Sequence, residues 1–282
     1  MANSPPVVLT IAGFDPSSGA GVTADIKTLA AHGCFAVTCI TALTVQSTTG
    51  VRRVEPVSAR LVEEVLRELA ADFPLAAVKI GMLANAALVE AVAAFLESAN
   101  PPYVVLDPIL RSTSGAELLD RQGIELLKKR LLSRATVITP NTAEAAALTG
   151  LPVTNREQMQ AASSALLDLG AHAVVITGGE LEKAIDVLSL SVAGGPPIQT
   201  DFTSDHLRSS ATHGTGCAFA SAIAANLALG KQLKDAVVLA KAYVTKAIAR
   251  AYPLGKGTGP INHLYRMDEQ PRPPQDVPET KH

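Results

Sequence analysis

The chain has 282 residues, 48% of them hydrophobic but only 4% aromatic, with no Trp and a formal net charge of −2. That length and aliphatic content can fill the core of one large α/β domain, and the balanced charge excludes the basic footprint of a nucleic-acid binder. Three cysteines, Cys34, Cys39 and Cys217, fit no zinc spacing and no disulfide framework, which points to a reducing cytoplasm.

In chain order, residues 7–12 read as a buried strand, followed by a Gly-rich turn and a helix over 23–32 closed by Gly33. Residues 35–45 form a second strand. Ser58 caps a helix running to Asp72, with Leu61, Val65, Leu66 and Leu69 on its apolar face. The unit then repeats: strand 77–80, helix 85–98, strand 103–106, helix 123–132, strand 136–138, two helices ending near Thr149 and Leu169, and strand 173–177. After this the rhythm changes. Residues 185–192 and 198–202, on either side of Gly194-Gly195, predict an antiparallel pair at a sheet edge. Two long helices follow, 215–229 and 233–252, split at Gly230.

Strand–helix alternation demands a mostly parallel sheet with helices on both faces, because each crossover must lie over a face. The expectation is one domain over residues 1–266 and a disordered Pro- and charge-rich tail over 267–282. The first residues lack the basic and apolar parts of a signal peptide, and no apolar run is long enough to span a membrane. Ligands of such sheets bind beyond the carboxyl ends of the strands.

The first loop, Gly13-Phe14-Asp15-Pro16-Ser17-Ser18-Gly19-Ala20-Gly21, lacks the Lys-Ser/Thr of a phosphate-binding Walker loop. Residues 19–24 fit G-x-G-x-x-A, but the second strand ends at Val45-Gln46-Ser47 without the carboxylate that holds a dinucleotide ribose. A tight strand-to-helix turn explains the glycines as well. Asp15 and Asp25 around it favour a polar substrate over a phosphate.

His213-Gly214-Thr215-Gly216-Cys217 precedes an Ala-rich helix. Consecutive amides at a helix N-terminus make an anion cradle, and the dipole there is expected to lower the pKa of Cys217. A Gly-rich turn with a packed Cys is the alternative. Asp107 ends one strand, and Asn141 and Glu144 follow another. Such groups suit Mg²⁺, which takes few carboxylates and keeps waters and phosphate oxygens. Asn141 could equally cap a helix, with Glu144 against its dipole.

Taken together, residues 10–21, Ala24-Asp25-Ile26-Lys27-Thr28, residues 41–48, Lys79-Ile80-Gly81-Met82, Thr139-Pro140-Asn141 and residues 212–217 resemble the hydroxymethylpyrimidine/phosphomethylpyrimidine kinases of thiamine biosynthesis. The likeness runs from about Val7 to His263. It implies a ribokinase-like three-layer αβα sandwich whose central sheet is mostly parallel with an antiparallel edge. It also implies two successive ATP- and Mg²⁺-dependent phosphorylations of a hydroxymethylpyrimidine. By resemblance, Gln46 bonds the pyrimidine, and Gly13, Asp25 and Met82 line its pocket. Gly214, Thr215, Gly216 and Cys217 form the anion hole, with Cys217 where sugar kinases of the superfamily carry a catalytic Asp. Asp107 and Glu144 serve Mg²⁺ and the phosphates. Asn141, Thr177, Gly179, Lys256 and Gly257 attend the nucleotide. A cytoplasmic homodimer is expected.

Two departures stand out. Thr177-Gly178-Gly179-Glu180 replaces the family's Lys-Gly-Gly-His, and Arg111-Ser112-Thr113-Ser114-Gly115 stands where many relatives have Ala-Lys-Ser-Gly. The lost cation predicts weak ATP affinity and a poorer second phosphorylation, unless Lys183, Arg111 or Lys256 substitutes. A pyridoxal or pyridoxine kinase is the alternative enzyme, and a pyrimidine-binding protein without catalysis the alternative of another class.

Overall fold

Successive side chains of a strand point to opposite faces, and in this chain both faces are apolar. In β1 (Val7–Phe14), Leu9 and Ile11 enter one core cluster while Val8 enters another. The same division splits Val78 and Ile80 from Ala77 in β4 (Leu75–Ile80), Val104 and Leu106 from Val105 in β5 (Val104–Leu106), and Ile138 from Val137 in β6 (Val137–Ile138). A sheet apolar on both faces must be covered on both, and three layers result. The computed structural model describes residues 4–112, 114–179, 184–204, 209 and 211–268.

One face is covered by α2 (Ala59–Asp72), α3 (Ala86–Ala99), α4 (Arg121–Arg130), α5 (Thr142–Thr149) and α6 (Arg156–Asp168). The other carries α1 (Gly21–Ala31), α7 (Thr215–Ala228) and α8 (Leu233–Ala249). In α7 every residue from Cys217 to Leu227 is buried, because its alanines let the helix lie close to the sheet. The side chains of Ser58, Asn85, Asp120, Asn141 and Asn155 cap α2 to α6 by accepting from the backbone amide three residues on. The expected face of α2 holds at Val65, Leu66 and Leu69, which meet the core, but Val62 is buried in place of Leu61, which is 50% exposed.

The sheet order is β3-β2-β1-β4-β5-β6-β7-β8-β9, with β2 (Phe35–Ser47), β3 (Gly50–Pro56), β7 (Ala173–Gly178), β8 (Ala184–Leu190) and β9 (Ile198–Ser204) completing it. The six strands from β2 to β7 in that order run parallel, and both edges are antiparallel rather than one. The unforeseen strand is β3. Its ladder with β2 covers residues 42–47 of that strand, whereas β1 pairs with residues 35–43. The β2–β3 hairpin therefore overhangs the carboxyl ends of the parallel strands.

At the chain's other end, α9 (Tyr265–Asp268) docks onto α1 and α8. Tyr265 is buried, Arg266 Nη1 donates to the Ala31 carbonyl at 3.1 Å, and its guanidinium lies 5.4 Å from the Tyr243 ring centroid. Residues 267 and 268 of the expected tail thus belong to a helix. The rest of that tail lies outside the described residues. Among the described residues, no helix is long and apolar enough to cross a membrane.

Candidate active site

Strand order reverses between β1 and β4, since β1 is followed on one side by β2 and flanked on the other by β4. A crevice opens beyond the carboxyl ends at such a reversal. Here it is a cavity of about 690 Å³ that runs from the β2–β3 hairpin to the ends of β6 and β7.

Two glycine loops interlock at its centre. Asp15, after β1, is 3% exposed; its Oδ1 accepts from the amide (2.8 Å) and hydroxyl (2.7 Å) of Ser17, and its Oδ2 from the Ala20 amide at 2.9 Å. His213 Nε2 lies 2.8 Å from the same Oδ2. Burial alone would raise the Asp15 pKa, but the bonds from His213 and Ser17 hold it below the ordinary carboxylate value. A Cβ on Gly19 would stand 2.2 Å from His213 Cδ2, so only glycine admits the imidazole. Gln46 Nε2 is 3.3 Å from His213 Nε2, and its Oε1 3.1 Å from Thr44 Oγ1, which itself donates to the Phe14 carbonyl. With Nε2–H donating to Asp15, the carboxamide fits best turned over, oxygen toward His213 and NH₂ toward Thr44. One donor and one acceptor of Gln46 then remain for the crevice. Beside it, Ala42, Met82 and Leu118 form an apolar wall, and a Cβ on Gly13 would touch Met82 Sδ at 2.9 Å.

The cradle is the start of α7. Its N-cap, Gly214, has a left-handed φ of 83° and no side-chain cap; the Thr215 amide donates to the Thr212 carbonyl at 3.3 Å, and the amides of Gly216 and Cys217 open the helix without an intrahelical partner. Gly214, Thr215, Gly216 and Cys217 all line the crevice. Burial pushes the Cys217 thiol up to about 12, against the opposing charge of Lys79. The expected lowering by the helix dipole is overturned: desolvation outweighs it, and Cys217 is a neutral thiol.

Asp107 follows β5 at the floor. It is 4% exposed; Thr139 Oγ1 lies 3.5 Å from Oδ1, and Oδ2 has no hydrogen-bond partner among the described residues. Burial raises its pKa to about 6, with Lys79 working the other way. Lys79 is wholly buried, its Nζ 3.0 Å from Asp25 Oδ2. Asp25 also accepts from Thr10 Oγ1 at 2.5 Å and Ser221 Oγ at 2.8 Å. Asp25, expected in the substrate pocket, therefore lies beneath the crevice and not on its surface, because its helical position turns it toward the sheet.

At the far end stand Asn141, Glu144, Thr177, Gly179, Asp186 and Lys241. Asn141 and Glu144 form a capping box: Asn141 Oδ1 accepts from the Glu144 amide (2.8 Å) and Glu144 Oε2 from the Asn141 amide (2.9 Å). The capping expected from sequence is present, and both residues also line the crevice. Lys241 Nζ sits 2.5 Å from Asp186 Oδ2, and Asp186 pairs with Thr177 across the β7–β8 ladder. Lys256 and Gly257 are not on the crevice wall. Their amides donate to Thr48 Oγ1 at 3.2 Å each, which ties their loop to the hairpin tip at the Gln46 end.

The family model described as phosphomethylpyrimidine kinase matches residues 15–262. The chain belongs to the phosphomethylpyrimidine kinase family. It is 41% identical over 264 residues to the hydroxymethylpyrimidine/phosphomethylpyrimidine kinase of Haemophilus influenzae, covering 91% of this chain and 96% of that one. It is also 41% identical to the thiamine biosynthesis bifunctional protein of Geobacter sulfurreducens, spanning 93% of this chain but only about half (53%) of that protein. Among solved structures, an ADP complex of Bacillus subtilis pyridoxal kinase superposes with a TM-score of 0.85 at 32% identity, over 94% of this chain and 100% of that chain.

Of the residues singled out for this kinase family from sequence, Gly13, Gln46, Met82, Asp107, Asn141, Glu144, Thr177, Gly179 and residues 214–217 share the one crevice. Two pairs were missed as site features. Asp15 and His213 are 198 positions apart, and Asp186 and Lys241 are 55 apart. Asp15 and His213 were each named within a glycine loop but not as partners, and for Asp186 and Lys241 a polar residue inside an apolar-flanked segment was the only local signal. Glu180 and Lys183, on which the missing-cation reading partly rested, lie outside the described residues.

Proposed function

We propose that this protein transfers the γ-phosphoryl group of ATP to the hydroxymethyl group of 4-amino-5-hydroxymethyl-2-methylpyrimidine, and then a second to the monophosphate. The observation that carries this is a single crevice with Gln46 on one wall, residues 214–217 at the start of α7 at its centre, and Asn141, Thr177 and Lys241 beyond them. An acceptor held at Gln46 has its hydroxymethyl at the cradle, and a nucleotide entering from the other end brings its terminal phosphate to the same point.

Each residue's part follows from its surroundings. Gln46, braced by Thr44 and His213, offers one donor and one acceptor to the ring edge, with Met82 and Leu118 against its faces. The transferred group carries its charge on three equatorial oxygens, and the amides of α7 meet that charge without reorganising. Cys217, a thiol at neutral pH, donates toward the reacting oxygens and shapes the cradle; a loose transition state needs no early deprotonation of the hydroxyl. The unpartnered, buried Asp107 Oδ2 suits a hard cation, and Asp107 with Glu144 would hold Mg²⁺. Among the described residues there is no cluster of three or more His, Cys, Asp or Glu that could hold a metal ion. When bound, Mg²⁺ neutralises phosphate charge. Lys241 and Arg111 are the lysine and arginine among the described crevice residues, and Lys241, beside Thr177, is engaged by Asp186 at 2.5 Å. A cytoplasmic homodimer, with one domain over residues 1–266, completes the reading by resemblance.

Pyridoxal phosphorylation is the second reading, favoured by the similarity to pyridoxal kinase. ATP consumption measured in parallel with the hydroxymethylpyrimidine, its monophosphate and pyridoxal separates the two. The proposal expects turnover with both pyrimidines at higher kcat/KM than with pyridoxal. The reverse order would refute it, and no turnover with any acceptor would leave a binding protein.

A further inference from the structure

The pair of Lys79 and Asp25 lies in the wholly buried layer between β1, β4 and α7, off the crevice wall. Replacing a buried ion pair with apolar residues is often neutral or stabilising, so stability is a weak reason to find one. This one is built with care. Thr10 and Ser221 hold both oxygens of Asp25, and a Cβ on Gly81 would come within 2.9 Å of Lys79 Nζ. Side-chain space has been left for the ammonium.

Its location is specific. Ser221 lies one turn along α7 from Cys217, and the ladder sets Lys79 beside Val105 and Ile80 beside Leu106, directly before Asp107. A Cβ on Gly216 would in turn meet Asp107 Oδ2 at 3.8 Å. Lys79 thus stands where β4, β5 and the first turns of α7 converge. Burial is the largest influence at both Asp107 and Cys217, and of the two charges in the pair the ammonium acts on them more strongly than the Asp25 carboxylate opposes it. Burial opposes the charge on the ammonium, but Asp25, 3.0 Å away, with Asp107 adding to it, outweighs that cost and holds it charged.

We propose that Lys79 is a positioning residue for phosphoryl transfer, supplying through Asp107 and Cys217 a fixed positive charge beneath the 214–217 cradle, with Asp25 as its anchor. The inference rests on the phosphoryl-transfer reading of that cradle. A charge fixed in a dry, low-dielectric layer stabilises developing negative charge without having to reorient. It leaves the recognition of the acceptor ring to Gln46.

The test compares Lys79→Met, Asp25→Asn and the double variant by thermal unfolding, steady-state kinetics and calorimetric titration with ATP. The double variant removes both charges while keeping similar shapes. It should unfold close to the wild-type temperature, keep its KM for the pyrimidine within about twofold, and lose roughly tenfold or more in kcat. Asp25→Asn, which keeps the ammonium, should retain more turnover than Lys79→Met, although both break the same ion pair. A double variant with wild-type kcat, one that fails to fold, or equal losses in the two single variants would overturn the proposal by assigning the pair to stability. A wild-type protein inert toward every acceptor would refute the functional reading instead. Lys79 would then be judged by the ATP titration, where unchanged affinity in the double variant overturns its role and a several-fold loss supports it.

Discussion

A methyl group added at Gly214 would probe the interlock between the two glycine loops. The position has a φ of 83°, and an added Cβ would stand 1.8 Å from the Gly19 carbonyl oxygen and 2.9 Å from its carbon. For an L-residue the left-handed conformation costs about 1–2 kcal/mol. A carbon–oxygen contact settles near 3.3 Å, so the loops would have to part by roughly 1.5 Å. That movement cannot stay local, because Gly19 abuts His213, and His213 is bonded to Asp15 at 2.8 Å. Displacing a catalytic framework by about 1 Å can cost on the order of 100-fold in rate. Gly214→Ala is therefore expected to lower kcat by about 100-fold or more and to cost about 2–4 kcal/mol of stability. Steady-state kinetics beside thermal unfolding reads both. Wild-type turnover with a wild-type melting temperature would refute the interlocked geometry and the cradle's place in the reaction.

Gln46→Ala should raise the pyrimidine KM by a factor matching about 1–3 kcal/mol while sparing the KM for ATP; unchanged pyrimidine kinetics would move the acceptor elsewhere. His263 supplies a pH signature: burial, with Lys27 adding to it, lowers its pKa from 6.5 to about 4. Its contribution is complete above pH 6.5 and is lost as pH falls toward 4, because only the unfolded chain then takes up the proton, a difference of about 3 kcal/mol. His263→Gln should flatten that part of the stability–pH curve, and an unaltered curve would show that another group titrates. Thr177→Lys should lower the KM for ATP, more so with the monophosphate acceptor, since a second anion then sits beside the γ-phosphate. Unchanged or weaker ATP affinity would mean that Lys241 already supplies the cation.

Much of this architecture could be read from the chain because each parallel strand is a short β-branched run between helices with capping residues. Ser58 and Asn141 mark helix starts, and both cap their helices in the folded protein. The β3 strand escaped notice for a physical reason: Arg52, Arg53 and Glu55 are exposed, so it lacks the apolar run by which strands are recognised. The glycine motifs located the crevice but not what holds it together. That depends on pairs such as Asp15 with His213, which only the folded sheet brings near. Asp25 and Cys217 were misjudged on burial, a property of three packed layers and not of local spacing. A helix N-terminus alone favours a thiolate at Cys217, but a desolvated floor does not.

The central claim is most directly tested by the products formed when the protein is incubated with the hydroxymethylpyrimidine, Mg²⁺ and excess ATP, followed by phosphorus NMR. The account predicts a pyrimidine monophosphate that accumulates first and then gives way to the pyrophosphate, with ADP released at each step. ADP formation without any phosphorylated pyrimidine, or phosphorylation of pyridoxal alone under the same conditions, would contradict it.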